Sequence, residues 1–216
     1  MTVWYAIPTA NAPRADHCLR AWREMGYRTA VLVDGATPGP AAAEVTIRVS
    51  AYDGYFASVN RLARFLVEHE QASIVVTGGD DMFPDPRHRA DEIATDFRRE
   101  FPDLCGVMQP IGDDLPGTDR ICGSPWLGRG WIERAYEGAG PFHAGYRQFY
   151  GDEELRIVAT RADRLLDRPD LVQRHEHWSR GGKQTDYQIA NDRWWEQDKA
   201  LYVARAAERF PGSGAR

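Results

Sequence analysis

Residues 73–84 read Ser73-Ile74-Val75-Val76-Thr77-Gly78-Gly79-Asp80-Asp81-Met82-Phe83-Pro84. Ser73 to Thr77 is the clearest strand in the chain, a short β-branched apolar run, and two glycines and two carboxylates follow it directly. In an open α/β sheet, ligands bind beyond the carboxyl ends of the strands. Asp80 and Asp81 therefore stand where a ligand would. Adjacent carboxylates are hard oxygen ligands for Mn²⁺ or Mg²⁺, which in turn bridge phosphate oxygens. Gly78 and Gly79 would let a diphosphate come close to the backbone. Gly-Gly-Asp-Asp is also good turn chemistry, and the motif alone does not choose between the two readings.

Working outward, the first half alternates strand and helix signals. Val3 to Pro8 is a short apolar run. Pro13 then suits the first turn of a helix, Ala15, Cys18, Leu19, Trp22 and Met25 recur at helical spacing, and Gly26 ends it. Thr29 to Val33 predicts a second strand closed by Asp34-Gly35, and Thr46 to Val49 a weak third. Phe56, Val59, Leu62, Ala63 and Leu66 mark a helix. Ile93, Phe97 and Phe101 place another over 88–101, and Leu104 to Gln109 is a further strand. Alternation with fully apolar strands predicts an α/β fold, a mainly parallel sheet with helices on both faces. The second half is richer in Gly, Trp, Tyr and Arg, and its strands are harder to find. Trp126 to Tyr136, Asp152 to Arg164 and 186–209 read as helices. No linker divides the chain, so 1–216 reads as a single domain, with a ligand-binding half over about 1–110 and an elaborated half over about 111–216.

The 216 residues carry 43% hydrophobic and 27% charged side chains, an ordinary globular balance that excludes a disordered or collagen-like chain. The net charge of −5 gives no global pull toward nucleic acid or membrane. No apolar run approaches the ~20 residues of a membrane span, and Met1-Thr2-Val3-Trp4-Tyr5 lacks the features of a signal peptide. Cys18, Cys105 and Cys122 form no Cys-x-x-Cys pair, which excludes a cysteine-rich zinc site and suits a reducing compartment. The expectation is a cytoplasmic protein without a membrane anchor. The only lysines are Lys183 and Lys199. Arginine suits phosphate binding, but a GC-rich genome gives the same bias, and most weight falls there.

Two familiar nucleotide motifs are missing. No Gly-x-Gly-x-x-Gly follows the first strand, and there is no Gly-Lys-Ser/Thr. The loops after the first two strands instead offer Thr9, Asn11 and Asp34. Farther on, His175-Glu176-His177 sets two imidazoles at i and i+2, which share a face on an extended segment and are ligands for borderline metals; two titrating surface histidines are the plainer reading. Tyr150-Gly151-Asp152-Glu153-Glu154 follows an aromatic stretch, Phe142 to Tyr146. A carboxylate beside such a stretch could act as a general base, and plain helix capping is the alternative. Arg147, Arg156, Arg161, Arg174, Arg180 and Lys183 cluster in the second half, as a solvated face or as contacts to an anionic group. Trp194 and Trp195 read as packing.

Together these segments resemble glycosyltransferases of the GT-A fold, of the inverting family-two type. The resemblance rests on Ala6-Ile7-Pro8-Thr9-Ala10-Asn11 followed by a helix, on Val31-Leu32-Val33-Asp34-Gly35, on Gly54 to Asn60, on Val75 to Pro84, on Phe142 to Glu154, and on His175-x-His177 with Asp186 downstream. Their order and rough spacing agree and cover most of the chain. It implies a metal-dependent transfer of a sugar from a nucleoside diphosphate donor, a UDP-sugar favoured, to an acceptor hydroxyl with inversion. Thr9, Asn11, Asp34, Asn60 and Asp80 would contact the donor; Asp80, Asp81, His175 and His177 would hold Mn²⁺ or Mg²⁺; Asp152 or Glu153 would be the base. The sequence departs from the family where Gly78 takes the place of the first Asp of Asp-x-Asp, and where the acceptor-side acids read Asp-Glu-Glu. The acceptor stays open, a modified base in nucleic acid among the candidates, as does the oligomeric state. The rival readings are a nucleotidyltransferase and a non-catalytic nucleotide- or carbohydrate-binding module.

Overall fold

The computed structural model describes residues 1–214, with the side chains of Asp186 and Tyr187 outside the description. Seven strands form the central sheet: β1 (Val3–Pro8), β2 (Arg28–Asp34), β3 (Val45–Val49), β4 (Ile74–Thr77), β6 (Val107–Pro110), β7 (Trp126–Gly128) and β8 (Leu165–Arg168), in the order β3-β2-β1-β4-β7-β6-β8. The pairs β3-β2, β2-β1, β1-β4 and β6-β8 are parallel; β7 is antiparallel to both β4 and β6. A two-stranded antiparallel ribbon, β5 (Met82–Phe83) with β9 (Arg174–His175), lies apart from the sheet.

The strands sort their side chains by the two-residue period of extended backbone. Trp4, Ala6, Ala30, Leu32, Val75, Val107 and Leu127 face one core, together with α2 (Tyr55–His69), α4 (Arg129–Arg134) and α5 (Gly151–Arg161). Tyr5, Ile7, Val31, Val33, Ile74, Val76, Met108 and Trp126 face the other, against α1 (Ala12–Glu24) and α3 (Ala90–Glu100). Burial on both faces is why these strands read as apolar runs rather than as alternating ones. Trp4, Trp22, Trp126 and Trp131 are fully buried; side chains of this size each remove ~150–250 Å² from water and dominate the core energetics.

The second half shows how sheet context overrides local pattern. Trp126 to Tyr136 was expected to be one helix. Trp126 and Leu127 instead form β7 and point to opposite cores, and the helix starts only at Arg129. Gly128 permits the switch, because a Cβ there would stand 2.1 Å from the Leu104 carbonyl oxygen. The expected helix Asp152 to Arg164 ends at Arg161, and Leu165–Arg168 is an edge strand. The expected helix over 186–209 is broken into α6 (Asp186–Asn191), a 3-10 turn at Asp192–Trp194 and α7 (Trp195–Ala207). Among the described residues no helix is long and apolar enough to cross a membrane.

Candidate functional site

The loop after β4 is built to hold its carboxylates in place. Tyr5, stacked on Trp22 with ring centroids 3.8 Å apart, donates its hydroxyl to the Gly79 carbonyl at 2.6 Å. The indole of Trp22 donates to the Met82 carbonyl at 2.8 Å. Gly78 lies so close to its surroundings that a Cβ would stand 2.8 Å from the Tyr5 hydroxyl and 3.1 Å from Ser124 Oγ. A side chain at position 78 would require these neighbours to move.

Asp80 and Asp81 follow. All four of their carboxylate oxygens have partners. Asp80 Oδ2 accepts from Thr9 Oγ1 at 2.9 Å, and Asp80 Oδ1 lies 3.3 Å from Arg14 Nε. Asp81 Oδ2 lies 2.8 Å from Arg14 Nη2, and Asp81 Oδ1 lies 3.5 Å from His175 Nε2. Burial pushes the Asp80 carboxyl above its ordinary value, against the attraction of Arg14 and the Thr9 bond. Burial pushes on Asp81 as well, but the His175 bond and the charges of His175 and Arg14 outweigh it and hold Asp81 low.

The ribbon β5-β9 brings the histidines here from far along the sequence, pairing Met82 with His175, and Glu176 N–H donates to the Asp81 carbonyl at 2.8 Å. His175 and His177 lie on the same side of this extended segment, as their spacing predicts, with ring centroids 5.0 Å apart. Burial, followed by the charge of His175, lowers the His177 pKa. Asp113 fastens the segment by accepting from His175 N–H at 3.0 Å and from Arg180 Nη2 at 2.6 Å.

These groups line a cavity of about 590 Å³. Its wall carries Thr9, Asn11, Arg14, Asp80 and Asp81 at the carboxyl edge of the sheet, Gln148, Phe149 and Asp152 from the second half, and His175 and His177. Burial, reinforced by the neighbouring Glu153, raises the Asp152 carboxyl to about 6. Burial raises that of Glu153 also, but Glu153 does not line the cavity.

Seven of the expected site residues thus meet in one place, and three do not. Asn60 lies away from the cavity wall, and its amide pairs with the Phe142 backbone, donating to the carbonyl at 2.8 Å and accepting from the N–H at 3.0 Å. Asp34 sits at the end of β2, where its carboxylate accepts from Thr37 Oγ1 at 3.3 Å; it is not on the cavity wall. Asn11 reaches the wall while its side-chain oxygen caps α1 through Arg14 N–H at 3.1 Å. The side chain of Asp186 lies outside the described residues. Of the second-half basic cluster, Arg147 pairs with Asp53 and Arg156 with Asp167, whereas Arg174, Arg180 and Lys183 gather with Arg14 around a second cleft of about 310 Å³.

Sequence reasoning missed two buried acids. Glu154 lies 0% exposed, accepting from Tyr136 at 2.8 Å, Tyr146 at 2.7 Å and Arg205. Asp198, also 0% exposed, accepts the backbone N–H groups of Arg147, Gln148 and Phe149. Neither burial has a local signal, since the Arg205 partner of Glu154 lies 51 residues away and the Gln148 partner of Asp198 lies 50 away.

Two carboxylates beside an imidazole are a donor set whose chemistry suits Mn²⁺ or Mg²⁺. In the structure a cation of the protein's own, the Arg14 guanidinium, spans the two carboxylates. As the side chains stand, no three of His, Cys, Asp and Glu among the described residues are gathered closely enough to enclose an ion.

No family model matches the sequence, and no curated protein matches it. Solved structures do resemble it in fold. A Drosophila β-1,4-galactosyltransferase 7 mutant, crystallised with manganese, UDP-Gal and xylobiose, superimposes with a TM-score of 0.50 at 9% identity, over 88% of this chain and 79% of that one. A glycosyltransferase involved in glycosylation of the major capsid of PBCV-1 gives 0.39 at 8% over 62% of each chain, and HddC from Yersinia pseudotuberculosis gives 0.38 at 9% over 61% and 78%. The fold is that of GT-A glycosyltransferases.

Proposed function

We propose that this chain is a divalent-cation-dependent glycosyltransferase that moves a sugar from a nucleoside diphosphate donor to an acceptor hydroxyl. One observation carries the reading: a single cavity at the carboxyl edge of the sheet collects the paired acids Asp80 and Asp81, two histidines and a carboxylate, Asp152, whose pKa is lifted to about 6. The fold likeness to a galactosyltransferase crystallised with manganese and UDP-Gal supports it.

Asp80 and Asp81, with His175 and His177, would hold the cation. A bound divalent ion supplies positive charge against the charge that builds on a departing diphosphate. Thr9 and Asn11 line the donor side of the cavity. Asp152 takes the proton of the acceptor hydroxyl as that oxygen attacks the sugar carbon, and the nucleoside diphosphate leaves from the opposite side, giving inversion. A carboxylate near 6 is ionised at neutral pH and more basic than an ordinary one, which is what a general base needs. Gln148, held between the Tyr52 hydroxyl and Asn191 Nδ2, offers an amide to a sugar or acceptor hydroxyl.

Calorimetry with UDP- and GDP-sugars, with and without Mn²⁺, tests this. Metal-dependent donor binding accompanied by slow donor hydrolysis is the expected result. Sugar binding indifferent to metal and without hydrolysis would make the chain a binding module.

A further inference from the structure

Arg14 is the lone cation of the segment Pro8 to Arg14, and its position joins two cavities. Its backbone is fixed, since its N–H caps on Asn11 in the first turn of α1. Its side chain is 34% exposed and reaches Asp80 through Nε and Asp81 through Nη2. With Thr9 and His175 on the remaining two oxygens, no carboxylate oxygen of the pair is without a partner. A cation arriving there meets three partners already in place, only one of them a permanent positive charge. Thr9 is buried and its hydroxyl is tied into the turn with Asn11. His175 is held by the β5-β9 ribbon and brings a metal-ligating nitrogen with it. Arg14 is the partner whose charge opposes an incoming cation and whose stem is free to swing.

The place it would swing toward is equally defined. Arg14 also lines the cleft of about 310 Å³ with Arg174, Arg180 and Lys183. Arg180 is neutralised there by Asp113 and Asp114. Arg174 and Lys183 are both exposed, and the charge of Arg174 acts on Asp114. The cleft carries one acid, Glu176, among its basic residues, so a guanidinium released from Asp80 and Asp81 enters a mainly basic setting that a phosphate makes favourable.

We propose that Arg14 is an exchangeable counter-ion: it neutralises Asp80 and Asp81 in the metal-free protein, and a divalent cation displaces it toward the phosphates of the bound nucleotide. The proposal rests on the metal-dependent reading above. One side chain then serves both ligands. It opposes the metal when nucleotide is absent and holds the nucleotide when metal is present, so the two bind cooperatively and the coupling is reciprocal.

The test is direct binding, with Mn²⁺ alone followed by electron paramagnetic resonance and UDP or GDP followed by calorimetry. Arg14→Gln should bind Mn²⁺ roughly fivefold or more tightly than the wild type without nucleotide, bind the nucleotide more weakly when Mn²⁺ is saturating, and show a smaller coupling factor. Arg14→Lys, a point charge that cannot span both acids, should fall between. If Asp80→Asn abolishes Mn²⁺ binding while Arg14→Gln leaves it unchanged or weaker, the counter-ion role is overturned and the metal reading survives. If neither the wild type nor Arg14→Gln binds Mn²⁺, both fall.

Discussion

Glu154 and Arg205 form a bidentate ion pair, Nε to Oε2 at 2.9 Å and Nη2 to Oε1 at 2.7 Å, with the Glu154 side chain 0% exposed. It joins the first turn of α5 to α7, 51 residues later, two residues from Asp152. The Tyr136 and Tyr146 hydroxyls complete the carboxylate's shell, so the buried charge is both paired and hydrogen-bonded. Removing one member of such a pair strands the other.

Glu154→Ala should therefore destabilise the protein by about 3–5 kcal/mol, measured by urea unfolding. A loss below about 1 kcal/mol would mean that water reaches Arg205 and the two hydroxyls freely.

Asp198 organises the second half of the cavity wall without touching it. It gathers three successive backbone N–H groups, those of Arg147, Gln148 and Phe149, and the last two residues line the cavity. Asp198→Ala should cost about 2–3 kcal/mol and speed amide exchange across 147–149 specifically. It should also raise the acceptor KM more than it lowers kcat. Unchanged exchange at these amides would contradict the role.

Much of this architecture was legible because it is local. The apolar runs around Tyr5, Val31 and Val75 announce buried parallel strands, and Gly78 to Asp81 announces the loop at the carboxyl edge of the sheet that lines the cavity. His175 and His177 were legible as a pair through their spacing, but nothing in the sequence registers them against Met82; that contact depends on a two-residue ribbon too short to leave a pattern. The strand Trp126–Gly128 was hidden for a related reason. Three residues carry no periodicity, and only insertion between β4 and β6 makes them a strand. The pairing of Asn60 with the Phe142 backbone was not legible, because a polar residue on an amphipathic helix looks the same in sequence whether it meets a ligand or a remote backbone segment.

The two roles of polar residues near the site separate by experiment. Asn60→Ala leaves a buried donor and acceptor of Phe142 unpaired and should lower stability by about 2–4 kcal/mol. Nucleotide affinity should be unaltered in the folded fraction. Thr9→Val should do the reverse. It removes the hydroxyl that orders Asp80, so Mn²⁺ and nucleotide binding weaken while the melting temperature shifts little. Equal loss of nucleotide affinity in both variants would return Asn60 to the binding site.

Asp152 makes a prediction with a defined sign. Burial and Glu153 raise its carboxyl to about 6 in the folded protein, against ~3.9 for an unfolded aspartate. The folded state thus binds more protons between these values, and this residue's contribution to stability falls as pH rises from about 4 through about 6 and is level above. Ionised Asp152 is consequently maintained at a cost to stability and available as a base above pH ~6. In the wild type kcat/KM should drop about tenfold per pH unit below ~6. Asp152→Asn should abolish that limb and lower kcat by about 10²–10⁴-fold with donor binding retained. The same variant should melt no lower than the wild type at pH 8, because it deletes a charge that folding disfavours. A kcat within about threefold of the wild type at neutral pH, with the acidic limb still present, would remove Asp152 from the chemistry. The same limb disappearing only in Glu153→Gln would move the base next door, to a side chain that would have to turn into the cavity.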